Sequence, residues 1–240
     1  MGDLLRYLGQ RPYPFVAGMT AQSSSSASVL NEIKVVVVSF GTRTLQRVLH
    51  QSGNARLMKE ACWDRRGNRY AHLEHSLLEY CMGDLVASRF GDDTRCVASH
   101  FVDCRPLWRP KSDQGHVGLH ADLQVQYQNQ SSCRQIYRDC KEAVAGLTAL
   151  FQNANSISRG GVKMVAVVGF YCNAGEHRSV AMAEVFKRYL DSSQFTAETC
   201  HSCDSVWHRK FCQGCDQCRR SVSTPAGREA LRQMQAEMTQ

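Results

Sequence analysis

Met164-Val165-Ala166-Val167-Val168-Gly169-Phe170-Tyr171-Cys172-Asn173-Ala174-Gly175-Glu176-His177-Arg178-Ser179-Val180-Ala181-Met182-Ala183-Glu184 decides the fold. An apolar, β-branched run stops at a short polar loop. Beyond the loop, apolar residues recur at helical spacing as far as Leu190. This is a strand, a loop and a helix. At the start of a helix several backbone N–H groups point into one concavity. The helix dipole adds partial positive charge there, and Arg178 adds a full one. Such a loop suits a phosphate or another oxyanion. Its candidate ligand-binding residues are Cys172, Asn173, Ala174, Gly175, His177, Arg178 and Ser179.

Working outward, Ile33-Lys34-Val35-Val36-Val37-Val38 reads as a buried strand ending in Ser39-Phe40-Gly41-Thr42-Arg43. Residues 44–90 read mainly as helix, with Leu45, Val48, Leu49, Leu77, Leu78, Cys81, Met82 and Leu85 on helical faces. Cys96 to Arg105 reads as a further strand before Pro106, and 109–121 as a loop. Residues 131–152 carry an apolar stripe of Ile136, Cys140, Val144, Leu147, Leu150 and Phe151. Pro225 marks a helix start, and the helix Ala226 to Met238 is expected to pack weakly. Strands alternating with helices predict an α/β fold, a mainly parallel sheet flanked by helices. Its phosphate-type loop lies between a central strand and a helix, and a small Cys-rich tail follows. Ligands of such sheets bind outside the carboxyl ends of the strands. Three loops meet there, at 39–43, 103–109 and 172–179. Each brings an arginine, so Arg43 and Arg105 join Arg178 as candidates.

The bulk numbers bound the function. The chain has 240 residues, 43% hydrophobic and 21% charged, enough for one good core with a small appendage. No apolar run is long enough for a membrane span, and the start lacks the apolar core of a secretory signal. The expected location is therefore intracellular, in the cytoplasm. A net charge of +7 favours anionic partners such as phosphates, nucleotides or RNA. No Walker-type nucleotide loop is present. The expected layout is a disordered leader at 1–30, an α/β domain at 31–200 with an insertion at about 44–98, a Cys-rich segment at 200–220 and a C-terminal helix at 221–240.

Two resemblances bear on the central loop. Cys172, Gly175, Arg178 and Ser179 match the C-x-x-G-x-x-R-[ST] signature of protein tyrosine and dual-specificity phosphatases over eight residues. That likeness implies a thiolate nucleophile at Cys172. A wider resemblance is to the RapZ C-terminal domain family. Gly169 to Val180 is similar to its G-C-T-G-G-x-H-R-S-V loop, and Ala183-Glu184-Val185-Phe186 continues its helix pattern. Val102-Asp103-Cys104-Arg105-Pro106-Leu107 resembles its F-D-V-R-F-L. Gly118-Leu119-His120 with Tyr127 resembles its T-G-L-D and following tyrosine, and Ser39-Phe40-Gly41 its S-F-G. Thr42-Arg43 stands in place of the family's K-x-G, and His120 in place of its Asp. The likeness does not extend to the family's N-terminal kinase-like domain. In bacterial members this domain senses glucosamine-6-phosphate and binds a small regulatory RNA. The resemblance therefore implies a pocket for a phosphorylated small molecule, with RNA as a further partner. Whether the chain is an enzyme stays open at this point.

Twelve cysteines are many, and five of them crowd into residues 200–218. Cys200 and Cys203 form one C-x2-C; Cys212, Cys215 and Cys218 form C-x2-C-x2-C. Two such knuckles can wrap one tetrahedral zinc ion. The alternatives are a reduced cluster without function, a redox pair, an iron–sulfur cluster, or a basic segment with Trp207 and His208 facing nucleic acid.

Overall fold

The computed structural model describes residues 33–43, 89–91, 94–110, 115–153, 163–203, 212 and 215–240. The leader at 1–30, the helical reading of 44–88 and most of the insertion lie outside the described residues, as do Trp207 and His208.

Four strands make one sheet in the order β2-β3-β1-β4, every neighbouring pair parallel. They are β1 (Ile33–Gly41), β2 (Thr94–Asp103), β3 (Lys163–Cys172) and β4 (Ala197–His201). Strands of a parallel sheet are covered on both faces, so their sequences are continuous apolar runs. In β1 every residue from Val35 to Gly41 is buried. Lys34, at the open end of the strand, meets Glu198 at 2.7 Å, a half-exposed pair worth little. Gly41 pairs with Cys172, and Asp103 with Tyr171. The carboxyl ends of β1, β2 and β3 thus share one edge, as the sequence predicts.

The helices are α1 (Ala121–Gln128), α2 (Cys133–Gln152), α3 (Arg178–Asp191), the short α4 (Asp216–Arg219) and α5 (Pro225–Thr239). One core joins Val35 and Val37 of β1 to Ala166, Val168 and Phe170 of β3, Phe186 and Leu190 of α3, and Ile136 of α2. Two elements depart from the sequence reading. Helix α1 was not foreseen, because Gln124 and Gln128 interrupt its apolar face. Both are buried and hydrogen-bonded: Gln124 Nε2 donates to the Gly118 carbonyl, Gln128 Nε2 to that of Ala230. Strand β4 was not foreseen because it is only five residues long, with Ala197 and Cys200 as its buried positions.

Helix α5 corrects the expectation of weak packing. Its Ala230 and Met234 are fully buried against the core. Arg188 of α3 donates to the Gly227 carbonyl at 3.2 Å. Thr224 caps the helix by accepting from Gly227 N at 3.0 Å, and Pro225 supplies the fixed φ of the first turn. Among the described residues no helix is long and apolar enough to cross a membrane.

Candidate functional site

The loop after β3 is held from three sides. Gly175 has φ +72°, the left-handed region that glycine enters freely. A Cβ there would stand 2.5 Å from Gly41 N and 2.7 Å from Cys203 Sγ. At Gly41 a Cβ would meet the Ala174 carbonyl group at 2.5 Å. The two glycines let the loop fold back onto the end of β1, where Arg43 N donates to the Asn173 carbonyl at 3.0 Å. On the third side Gly118 N donates to the Glu176 carbonyl at 3.0 Å.

Inside this frame Cys172 is buried, at 2% exposure. Its Sγ accepts from Gly175 N at 3.3 Å and lies 3.2 Å from Ser179 Oγ. Ser179 is fully buried. His177 is buried too; its carbonyl accepts from Ala181 N at 2.8 Å, starting α3. Thr42 Oγ1 and Asn173 Oδ1 are buried beside the loop and make no hydrogen bond to the described residues. Buried polar atoms are nearly always satisfied, so such a pair is an unusual feature of the described loop.

The three arginines sit at this edge in different states. Arg178, first residue of α3, turns Nη1 back to donate to the Arg105 and Leu107 carbonyls, each at 2.9 Å. It ties the loop after β2 to the loop after β3. Arg105 is held bidentately by Asp103, with Nε at 2.8 Å from Oδ1 and Nη2 at 2.5 Å from Oδ2. It also lies 5.2 Å over the Tyr171 ring. Burial alone would lower its pKa; the Asp103 carboxylate outweighs that and raises it. Arg43 is exposed beside the same loop. The edge thus brings helix N–H groups and cations together, with Arg105 paired to Asp103.

Residues 89–204 match the family model described as the RapZ C-terminal domain. This segment is similar to that family. The match takes in β2, β3, β4, α1, α2 and α3, with the loops after β2 and β3. No curated protein and no solved structure is similar enough to the chain to count as a match.

A polar relay missed by the sequence reading runs from β1, outside the RapZ C-terminal domain match, through the end of β4 to the middle of α3. Ser39 Oγ meets His201 Nδ1 at 2.7 Å, and His201 Nε2 meets Glu184 Oε1 at 2.9 Å. The register places Ser39 opposite His201, a pairing that single-chain spacing does not announce. Ser39 is fully buried, and the relay joins β1, β4 and α3 through side chains. Burial would raise the Glu184 pKa; hydrogen bonds from His201 and Thr199 and the Arg188 charge outweigh it, and the pKa is lowered. A carboxylate whose folded pKa is depressed contributes stability above its unfolded value of about 4.3 and loses it as pH falls through the folded value. Glu184→Gln should therefore flatten the acid limb of the stability profile. Urea midpoints at pH 7 and pH 3 check this: the wild type should fall further between them than the variant.

The structure separates the five clustered cysteines into two sets. Cys212, Cys215 and Cys218 come together, and a fourth donor joins them: His116, with all four ligand atoms within 4.8 Å of one another. Cys200 and Cys203 are not among them. Cys200 is a buried residue of β4, paired in register with Val38, and its Sγ accepts from Arg89 Nη1 at 3.2 Å. Cys203 is buried in a small apolar cluster with Val117 and Val180. Once residues 197–201 pair with β1, the first C-x2-C becomes part of sheet and core. His116 lies 96 positions before Cys212. The signal that would have found it is the incomplete set of three thiolates, for which the nine histidines are the obvious donors.

Proposed function

We propose that this chain binds a phosphorylated small molecule, a sugar phosphate or a nucleotide, in the loop from Cys172 to Ser179. The observation that carries this reading is the meeting of three parallel strand ends at one helix N-terminus, with Arg43, Arg105 and Arg178 on the loops and the buried Thr42 hydroxyl, which can donate, unsatisfied beside them. Backbone N–H groups of 173–178 would take the equatorial oxygens, and Arg43 and Arg105 the remaining charge. The similarity of 89–204 to the RapZ C-terminal domain family supports the same ligand class. A thermal-shift screen of sugar phosphates, nucleotides and inorganic phosphate tests it, because a ligand of the folded state at a hundredfold excess over its Kd adds about 2.7 kcal/mol. A flat response to all of them would set the reading aside.

One observation favours a second reading, a cysteine-dependent phosphatase: Cys172 Sγ accepts from the Gly175 amide and faces the Ser179 hydroxyl, both residues of the signature. Against it stand the 2% exposure of Cys172 and the engagement of Asp103 by Arg105. The expected result is no hydrolysis of an aryl phosphate by the wild type. A steady rate that disappears in Cys172→Ser would make the chain an enzyme.

The net charge of +7 and the family support RNA as a further, secondary partner. Ten cysteines among the described residues are free thiols, and we propose a reducing, cytoplasmic location. We also propose that the thiolates near the C-terminus hold a zinc ion.

A further inference from the structure

We infer that His116, Cys212, Cys215 and Cys218 form one closed zinc site, and that the ion fastens the C-terminal segment to the turn bracing the oxyanion loop. This rests on the zinc proposal above and completes its ligand set.

The geometry fits the ion. Zinc–sulfur bonds of about 2.3 Å and zinc–nitrogen bonds of about 2.05 Å at tetrahedral angles put nitrogen and sulfur ligands roughly 3.6 Å apart. His116 Nδ1 lies 3.6 Å from Cys218 Sγ and 3.8 Å from Cys215 Sγ. Cys215 N donates to Cys212 Sγ at 3.1 Å, a bond that stabilises a thiolate ligand. Cys212 N donates to the Gly115 carbonyl at 2.7 Å, so the two chain segments already meet beside the ligands. Three thiolates and one neutral imidazole fill a structural zinc shell and leave no position for a substrate.

The consequence for the neighbouring loop follows from what adjoins His116. Val117 packs with Val180 and Cys203, and Gly118 is wedged against α3. A Cβ on Gly118 would stand 2.1 Å from the His177 carbonyl oxygen and 2.4 Å from Ala181 N. Gly118 N is also the donor that fixes the Glu176 carbonyl. Residues 116–118 therefore join the cysteine cluster directly to the loop of Cys172–Ser179. Holding His116 on a metal fixes that brace; releasing it frees the brace at one end.

The test uses the full chain purified under reducing conditions with zinc supplied. Metal analysis should find about one zinc per chain, with no iron. Replacement by cobalt should give the intense visible bands of a tetrahedral thiolate site, a readout independent of any phosphate ligand. Cys215→Ser and Cys218→Ser should each lose the zinc, whereas Cys200→Ser should retain it. His116→Ala should weaken zinc by at least about tenfold and alter the cobalt bands. If variants fold poorly, chelator-stripped wild type refilled with zinc supplies the second measurement: amide exchange at 115–120 and 212–218 should slow on refilling. Zinc bound with unchanged affinity and cobalt spectrum in His116→Ala would overturn the fourth ligand and the clamp while leaving a zinc-bearing tail. Metal-free wild type, or iron with an iron–sulfur spectrum, would overturn the zinc site altogether. Neither outcome touches the oxyanion reading, which stands or falls on phosphate binding.

Discussion

Gly175→Ala should lower stability by about 2–5 kcal/mol and abolish binding of phosphate ligands. Two costs add. An L-residue in the left-handed region costs about 1–2 kcal/mol. The new methyl would also stand 2.5 Å from Gly41 N and 2.8 Å from Phe40 C, both backbone atoms that cannot rotate away. Overpacking of that kind costs about 1–3 kcal/mol. The backbone must shift, and the loop that shifts is the one proposed to bind. Denaturant unfolding reads the first effect and calorimetric titration the second. Gly146→Ala is the control: nothing lies within 4 Å of a Cβ there, and the residue is inside α2, where alanine is the better helix former. That variant should be at least as stable as the wild type. A Gly175→Ala protein with wild-type stability and affinity would mean that the tight approach of loop and β1 does not shape the site.

Arg178→Ala should weaken phosphate binding roughly 10- to 100-fold, the size of a lost charge-assisted interaction of about 1.5–3 kcal/mol. The structure gives this a specific cause. Arg178 Nη1 serves two carbonyls, of Arg105 and Leu107, so the substitution removes positive charge from the helix start and also unties the loop after β2. Arg178→Lys retains the charge on a shorter stem, which falls short of the two carbonyls that Nη1 reaches, so it should recover part of the affinity only. Stability should fall in both variants, less in the lysine one. Full affinity in a folded Arg178→Ala protein would show that the three strand-end loops act separately.

Much of the architecture was legible because parallel strands announce themselves. The runs at 33–38 and 164–172 are apolar at almost every position, as strands buried on both faces must be. The helix from Arg178 showed in its spacing, and the common edge of three loops followed from parallel pairing alone. What escaped the sequence depends on partners distant along the chain. Helix α1 hides its buried face behind Gln124 and Gln128, whose polar ends are satisfied by carbonyls up to 102 positions away. Cys200 and Cys203 look like a metal knuckle until β4 is placed on β1. His116 has no local pattern of its own; the fold brings it to three cysteines. Arg178 was legible as a cation at a helix start, but not as a brace between loops. Helix α5 packs closely because Ala230 and Met234 meet the core and Arg188 caps the turn at Gly227, contacts that a weak apolar stripe does not advertise.

The central claim is that the loop from Cys172 to Ser179 is an oxyanion site. Backbone amide NMR of the full chain, titrated first with inorganic phosphate and then with a sugar phosphate, tests it most directly. The account predicts saturable shifts concentrated at the amides of 173–178 and at Thr42, Arg43 and Arg105, and their loss in Arg178→Ala. Shifts absent there, or centred on another part of the molecule, would contradict it.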